Sequence, residues 1–150
     1  MITPTPRRAI RAPDASRLAG ITYRQLDYWA RRGWVVPSVE AGTGRPGRRL
    51  YSPDDVVRLA TLGHLGRSGA DVGQLGPQIA GLELPAGDVD YLVALGPELA
   101  LGVVPAEQLR GHVATAGSHV VFDPAPLRHE LGVTPATSSR PTPLTQARTA

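Results

Sequence analysis

The stretch Ile21–Gly33, ITYRQLDYWARRG, constrains this chain more than any other. Thr22 followed three residues later by Gln25 is the signature of a capping box. Ile21 and Leu26 stand where a hydrophobic staple would bracket the helix start. Within the helix, Leu26, Trp29 and Ala30 share one face suited to a core, while Arg24, Asp27, Tyr28 and Arg31 form a stripe of long polar side chains on another. Upstream, Pro13–Ala19 reads as a short first helix with Asp14 as its N-cap and Gly20 as its stop. Two short helices across a glycine turn, the second presenting arginine and tyrosine, follow the helix-turn-helix plan, in which the second helix enters the major groove.

The next segments extend the pattern. Val35, Val36 and Val39 are expected to pair with Leu50 in a short hairpin. Its tip, Glu40–Gly47, is rich in glycine and reads as a wing. Arg45, Arg48 and Arg49 bring three cations within five positions, which favours phosphate binding over an ordinary surface loop. Ser52-Pro53-Asp54-Asp55 is a strong start for a third helix with Val56, Leu59, Ala60 and Gly63 inward, running to about Arg67. Asp71 can open a fourth through Val72, Leu75 and Ile79.

Charge follows the same division. Residues 1–70 carry twelve arginines against five acids, whereas residues 71–150 carry four against eight. Five of the seven aromatics lie in Tyr23–Tyr51. A basic, aromatic amino half suits phosphates, and the acidic carboxyl half suits some other task. All sixteen basic residues are arginine, which points to a GC-rich genome. With no cysteine, disulfides and thiolate metal or redox sites are excluded, and a reducing cytoplasm is the expected setting. No apolar run approaches the ~20 residues that span a bilayer. Arg7-Arg8 is not followed by the apolar segment of a twin-arginine leader.

The order helix, recognition helix, wing, third helix resembles the DNA-binding domain of the MerR family of bacterial transcription regulators. The resemblance covers Ala12–Leu82 and rests chiefly on LAGITYRQLDYWARRG and RRLYSPDDVVRL; the variant ITYRQLDYWAR looks like actinobacterial members. It implies sequence-specific binding of double-stranded DNA by a homodimer, with RNA polymerase as a further partner and a cytoplasmic, nucleoid-associated location. Tyr23 and Arg24, in the first helical turn, would reach base edges, Arg24 bidentately to guanine. Tyr28 would offer its hydroxyl to a phosphate, and Arg31 would extend the stripe. Arg45, Arg48 and Arg49 would clamp the flanking backbone, and Tyr51 is counted with the DNA-facing residues. Asp27 departs from the family, where arginine is common; it could hold Arg24 or Arg31 in place, or discriminate among sequences.

The long dimer helix of familiar MerR proteins is missing after Leu82, because Leu84-Pro85-Ala86-Gly87 breaks the chain and no heptads follow. Instead, strands at Tyr91–Leu95, Leu99–Val104 and His119–Phe122, with helices at Ala106–Ala116 and Leu127–Leu131, make a small ββαβα unit. The expected fold class is therefore α+β. A flexible arm (1–12), a winged helix-turn-helix domain (13–83), a dimerisation or regulatory unit (88–131) and a disordered tail (132–150) divide the chain. No catalytic constellation is found. The histidines His64, His112, His119 and His129 match no metal site, no cofactor is expected, and Gly42-Thr43-Gly44 lacks the setting of a phosphate loop. A DNA-binding regulator is the leading expectation. An architectural recombination or plasmid-maintenance factor is the alternative within DNA binding. A protein-interaction module is the alternative of another class, and the arginine-rich wing speaks against it.

Overall fold

A computed structural model describes residues 8–39, 48–86, 89–111 and 120–133 of the chain. The order of elements is β1 (Ile10–Arg11), α1 (Ala12–Ala19), α2 (Tyr23–Arg31), β2 (Leu50–Tyr51), α3 (Pro53–Arg67), α4 (Val72–Ala80), β3 (Tyr91–Leu95), β4 (Leu101–Pro105), β5 (Val120–Phe122) and α5 (Ala125–Glu130). Short 3₁₀ turns at Pro97–Leu99 and Ala106–Gln108 flank β4.

α1 begins one residue earlier than the sequence suggests. Arg11 is its N-cap and gives no side-chain cap, because β1 delivers the chain in extended form straight to Ala12. Asp14 is consequently inside the first turn, 3.5 Å from Arg17. Only alanines and Ser16 are buried on this helix, so its narrow face can lie close against α3. Gly20 ends it in the left-handed region (φ 67°), with its own N–H on Arg17 and the Ile21 N–H on Ser16, which is a Schellman closure. The capping box of α2 forms as read: Gln25 N–H donates to Thr22 Oγ1 at 3.1 Å, and Thr22 N–H donates to Gln25 Oε1 at 2.9 Å.

α3 is the central helix. It is capped by Ser52 and Asp55, starts on Pro53, and buries Val56, Val57, Leu59, Ala60, Thr61, Leu62, Gly63 and Leu65. Burial on so many sides requires neighbours all round, and α1, α4, β2, β5 and α5 supply them. At Gly63 a Cβ would fall 2.5 Å from Ile21 Cγ2, so the α1–α2 turn rests directly on the α3 backbone. α4 repeats the device. Its Gly76 would place a Cβ 2.1 Å from the Trp34 ring, so α4 seats the indole that follows α2.

Two expectations about the amino half are corrected. Ile10, Arg11 and Ala12 are not part of a flexible arm: Ile10 is buried, and Ile10–Arg11 pair antiparallel with Tyr51–Leu50. The hairpin between residues 35–39 and Leu50 does not form as a strand pair. A single bond, Val39 N–H to Leu50 O at 3.2 Å, joins the two segments. Pro37 interrupts the run, the Ser38 N–H is committed to Asp55 at 2.8 Å, and Val36 and Val39 are exposed. The wing tip at 40–47, with Arg45, lies outside the described residues.

In the carboxyl half β3 is the middle strand of an antiparallel sheet in the order β4-β3-β5. All five β3 residues are buried. Leu95 and Leu131 join the same buried cluster as Leu59, Leu62 and Leu75, and the rings of Phe122 and His64 lie 5.3 Å apart. Residues 112–119, which hold the last five positions of the expected middle helix and the start of the third strand, lie outside the described residues, as do 134–150 of the expected tail. Gly132 and Val133 close α5 with N–H bonds to His129 and Arg128. Among the described residues no helix is long and apolar enough to cross a membrane.

Candidate nucleic-acid interface

The position of α2 follows from what it buries. Leu26 and Trp29 point into the core, so the opposite side is necessarily outward. There Tyr23 and Tyr28 are 45% and 52% exposed, high values for tyrosine, and Arg24 and Arg31 are exposed with them. The turn before α2 is braced from α3, where Arg67 Nη1 donates to Gly20 O at 3.0 Å. An outward helix with a rigid entry, carrying tyrosines and arginines, is a surface that can present side chains to a groove.

Asp27 is the electrostatic centre of this face. One carboxylate oxygen contacts Arg31, one helical turn on, and the other accepts from Arg49 Nη1 at 2.7 Å. Asp27 and Arg49 are 24% and 28% exposed at the side chain, whereas Arg31 is 72% exposed. The Asp27 carboxylate raises the Arg49 pKa above its ordinary value, outweighing the opposing effect of burial. The sequence reading anticipated Arg24 or Arg31 as the partner of Asp27. Arg31 is one; Arg49, 22 positions away, is the other and leads directly into β2.

Tyr51 is corrected. It is fully buried, because pairing of β2 with β1 turns it toward α3, and it cannot touch DNA from there. Its hydroxyl makes no well-formed hydrogen bond among the described residues. Burial pushes this phenol up to about 12, although the nearby Arg49 charge acts in the opposite direction. Arg48 is exposed beside Arg49.

The sequence reading did not include Arg32. Its guanidinium lies 5.3 Å from the Trp34 ring centre and 5.9 Å from that of Tyr28, and the two rings meet edge to face at 5.8 Å. The signal was present as an Arg-Arg pair with an aromatic four residues before and another two after the second arginine. Tyr28 is thus packed at its ring as well as free at its hydroxyl side.

Comparison with known proteins falls on this same part of the chain. Residues 10–74 match the family described as MerR HTH family regulatory protein. An uncharacterized HTH-type transcriptional regulator of Mycobacterium bovis and one of Mycobacterium tuberculosis are each 51% identical over 55 residues, which is 37% of this chain. The chain spans 24% of the length of these relatives, so the likeness concerns one domain. Those names describe transcriptional regulators of the HTH type. The helices, the glycine turn and the outward α2 face are what such a domain needs, and the helix-turn-helix domain of this chain, residues 10–74, belongs to the MerR family.

Proposed function

We propose that the protein is a sequence-specific DNA-binding transcriptional regulator of the MerR type. The observation that carries the reading is the exposed face of α2, where Tyr23, Arg24, Tyr28 and Arg31 stand outward while Leu26 and Trp29 anchor the helix. In this reading α2 lies in the major groove, with Tyr23 and Arg24 at base edges and the Tyr28 hydroxyl on a phosphate. Arg45, Arg48 and Arg49 engage the flanking backbone. Arg32 belongs with them: stacked on two rings, it is held in one place at the end of the recognition helix. The protein acts as a homodimer at promoters, with RNA polymerase as the partner there, and resides on the nucleoid in the cytoplasm. The carboxyl half, including the β4-β3-β5 sheet, supplies the second-copy contact.

Binding assays on the intact chain test the roles. Arg24→Ala should cost ~1–3 kcal/mol at one base position and relax preference there. Arg48→Ala should weaken every sequence alike and lower the salt slope by about one unit. Equal, sequence-independent losses from both substitutions would overturn the assignment. Sedimentation of the intact protein should give a dimer at micromolar concentration, and a monomer would overturn that part.

A further inference from the structure

Asp27 is the acidic side chain placed among the arginines of the α2 face, and both of its oxygens are engaged. Each of its oxygens holds a different guanidinium, one on the recognition helix and one at the base of the wing. The pair with the exposed Arg31 adds little to folding stability. Its weight lies elsewhere, because both captured groups are ones that phosphates would otherwise take. We propose that Asp27 is a specificity-determining residue that competes with DNA phosphates for Arg31 and Arg49, so that the two arginines are released only where the seated helix brings phosphates to both.

The reasoning rests on the DNA-binding reading above. A carboxylate and a phosphate oxygen make the same charge-assisted bond to a guanidinium, so exchange between them is nearly isoenergetic per bond. At a mismatched site α2 sits poorly, phosphates reach neither arginine well, and Asp27 keeps them; the protein then binds with two fewer cations. At a matched site both are exchanged together. Discrimination therefore comes from suppressing the wrong complexes rather than from improving the right one. The joint capture also explains why a carboxylate is tolerable on a surface meant for a polyanion. Its charge is spent on two neighbours before DNA arrives.

Fluorescence anisotropy on the intact chain tests this, with labelled duplexes of mixed sequence and of a selected site, across a salt series. Asp27→Asn should tighten binding to mixed sequence by about three- to tenfold and steepen the salt dependence by about one to two units, since each freed arginine adds ~0.9. The ratio of selected to mixed binding should fall. Asp27→Ser, which cannot hold an arginine through a carboxamide oxygen, should steepen the slope at least as much. Glu83→Gln removes the same charge from an exposed position in the segment after α4 and should change neither slope nor ratio. Adding Arg49→Gln to Asp27→Asn should take back about one unit of slope. The proposal is overturned if Asp27→Asn behaves like Glu83→Gln. It is also overturned if Asp27→Asn weakens both duplexes equally with unchanged thermal melting, which would make Asp27 a brace only. If the unaltered protein binds no duplex, the DNA reading fails by itself. Elution from heparin then decides capture separately: later elution of Asp27→Asn than of Glu83→Gln supports it, and equal elution removes it.

Discussion

Tyr51 and Tyr91 offer a comparison between the two halves of the molecule. Both are fully enclosed tyrosines whose hydroxyls lack a hydrogen-bond partner among the described residues, and both lie near an arginine. Around Tyr51 the neighbourhood is made by local chemistry: β2 runs straight into the Ser52–Asp55 cap of α3, and Ser38 ties the segment after α2 to the same carboxylate. Around Tyr91 it is made by reach. Arg128 lies 4.9 Å over the ring and donates to Val89 O; Gln78 on α4 clasps the entry to β4 at Leu99 and Leu101; Arg8 donates to Leu131 O from the far end of the chain. The side-chain bonds gathered at the Ser52–Asp55 cap span at most 17 positions, whereas those named for the carboxyl half span 21 to 123. Loss of one bond should therefore have different consequences in the two places.

The largest effect is expected at Asp55, which accepts from the N–H groups of Ser52 and Ser38 and from the Ser38 hydroxyl. Asp55→Ala leaves the enclosed Ser52 N–H without its partner, removes half of the α3 capping box and unties Ser38, and should cost about 3 kcal/mol in denaturant unfolding. A loss confined to the carboxyl half would break the comparison.

The two phenols give a second, pH-dependent test. An exposed tyrosine ionises near 10, whereas folded Tyr51 does so at about 12. The unfolded chain therefore loses its proton first, and stability falls as pH rises from about 10 to 12, by up to about 2 kcal/mol. Tyr51→Phe should remove most of that slope and leave the part due to Tyr91, which burial also raises. Unfolding curves at pH 8 and 11 measure it, and an unchanged slope in Tyr51→Phe would contradict the assignment.

The smallest effect belongs to Gln78. Gln78→Ala removes its bonds to Leu99 O at 2.7 Å and from Leu101 N–H at 3.0 Å, and should cost about 1 kcal/mol. Hydrogen exchange should quicken at Leu101 while amides of α2 and α3 stay protected. Uniform loss of protection would mean that the halves unfold as one unit.

The same contrast explains what could be read from the sequence. The capping box at Thr22, the helix start at Ser52, the Gly20 stop and the buried Leu26 and Trp29 are signals spanning a few residues, and each appears where it was expected. The strands Tyr91–Leu95 and Val120–Phe122 were legible from their apolar runs, but nothing local revealed that Gln78, Arg8 and Arg128 fasten them. At the site, the outward face of α2 was legible from helical spacing. The place of Tyr51 was not, because the side a strand residue faces depends on its partner, and the partner is Ile10–Arg11 rather than residues 35–39. Arg49 was expected to face phosphate, and its bond to Asp27 crosses too much sequence for spacing to show.

The seating of Trp34 against the backbone of Gly76 has an optical consequence. The chain has two tryptophans, Trp29 and Trp34, and both are enclosed at the carboxyl end of α2. Their emission reports on one place. Opening of the β4-β3-β5 sheet would pass without a tryptophan signal, whereas a ligand arriving beside Arg32 would perturb the indole directly. A titration followed at tryptophan wavelengths thus views the end of the recognition helix and its seat on α4, and its comparison with backbone circular dichroism separates events there from events in the β4-β3-β5 sheet without any added label.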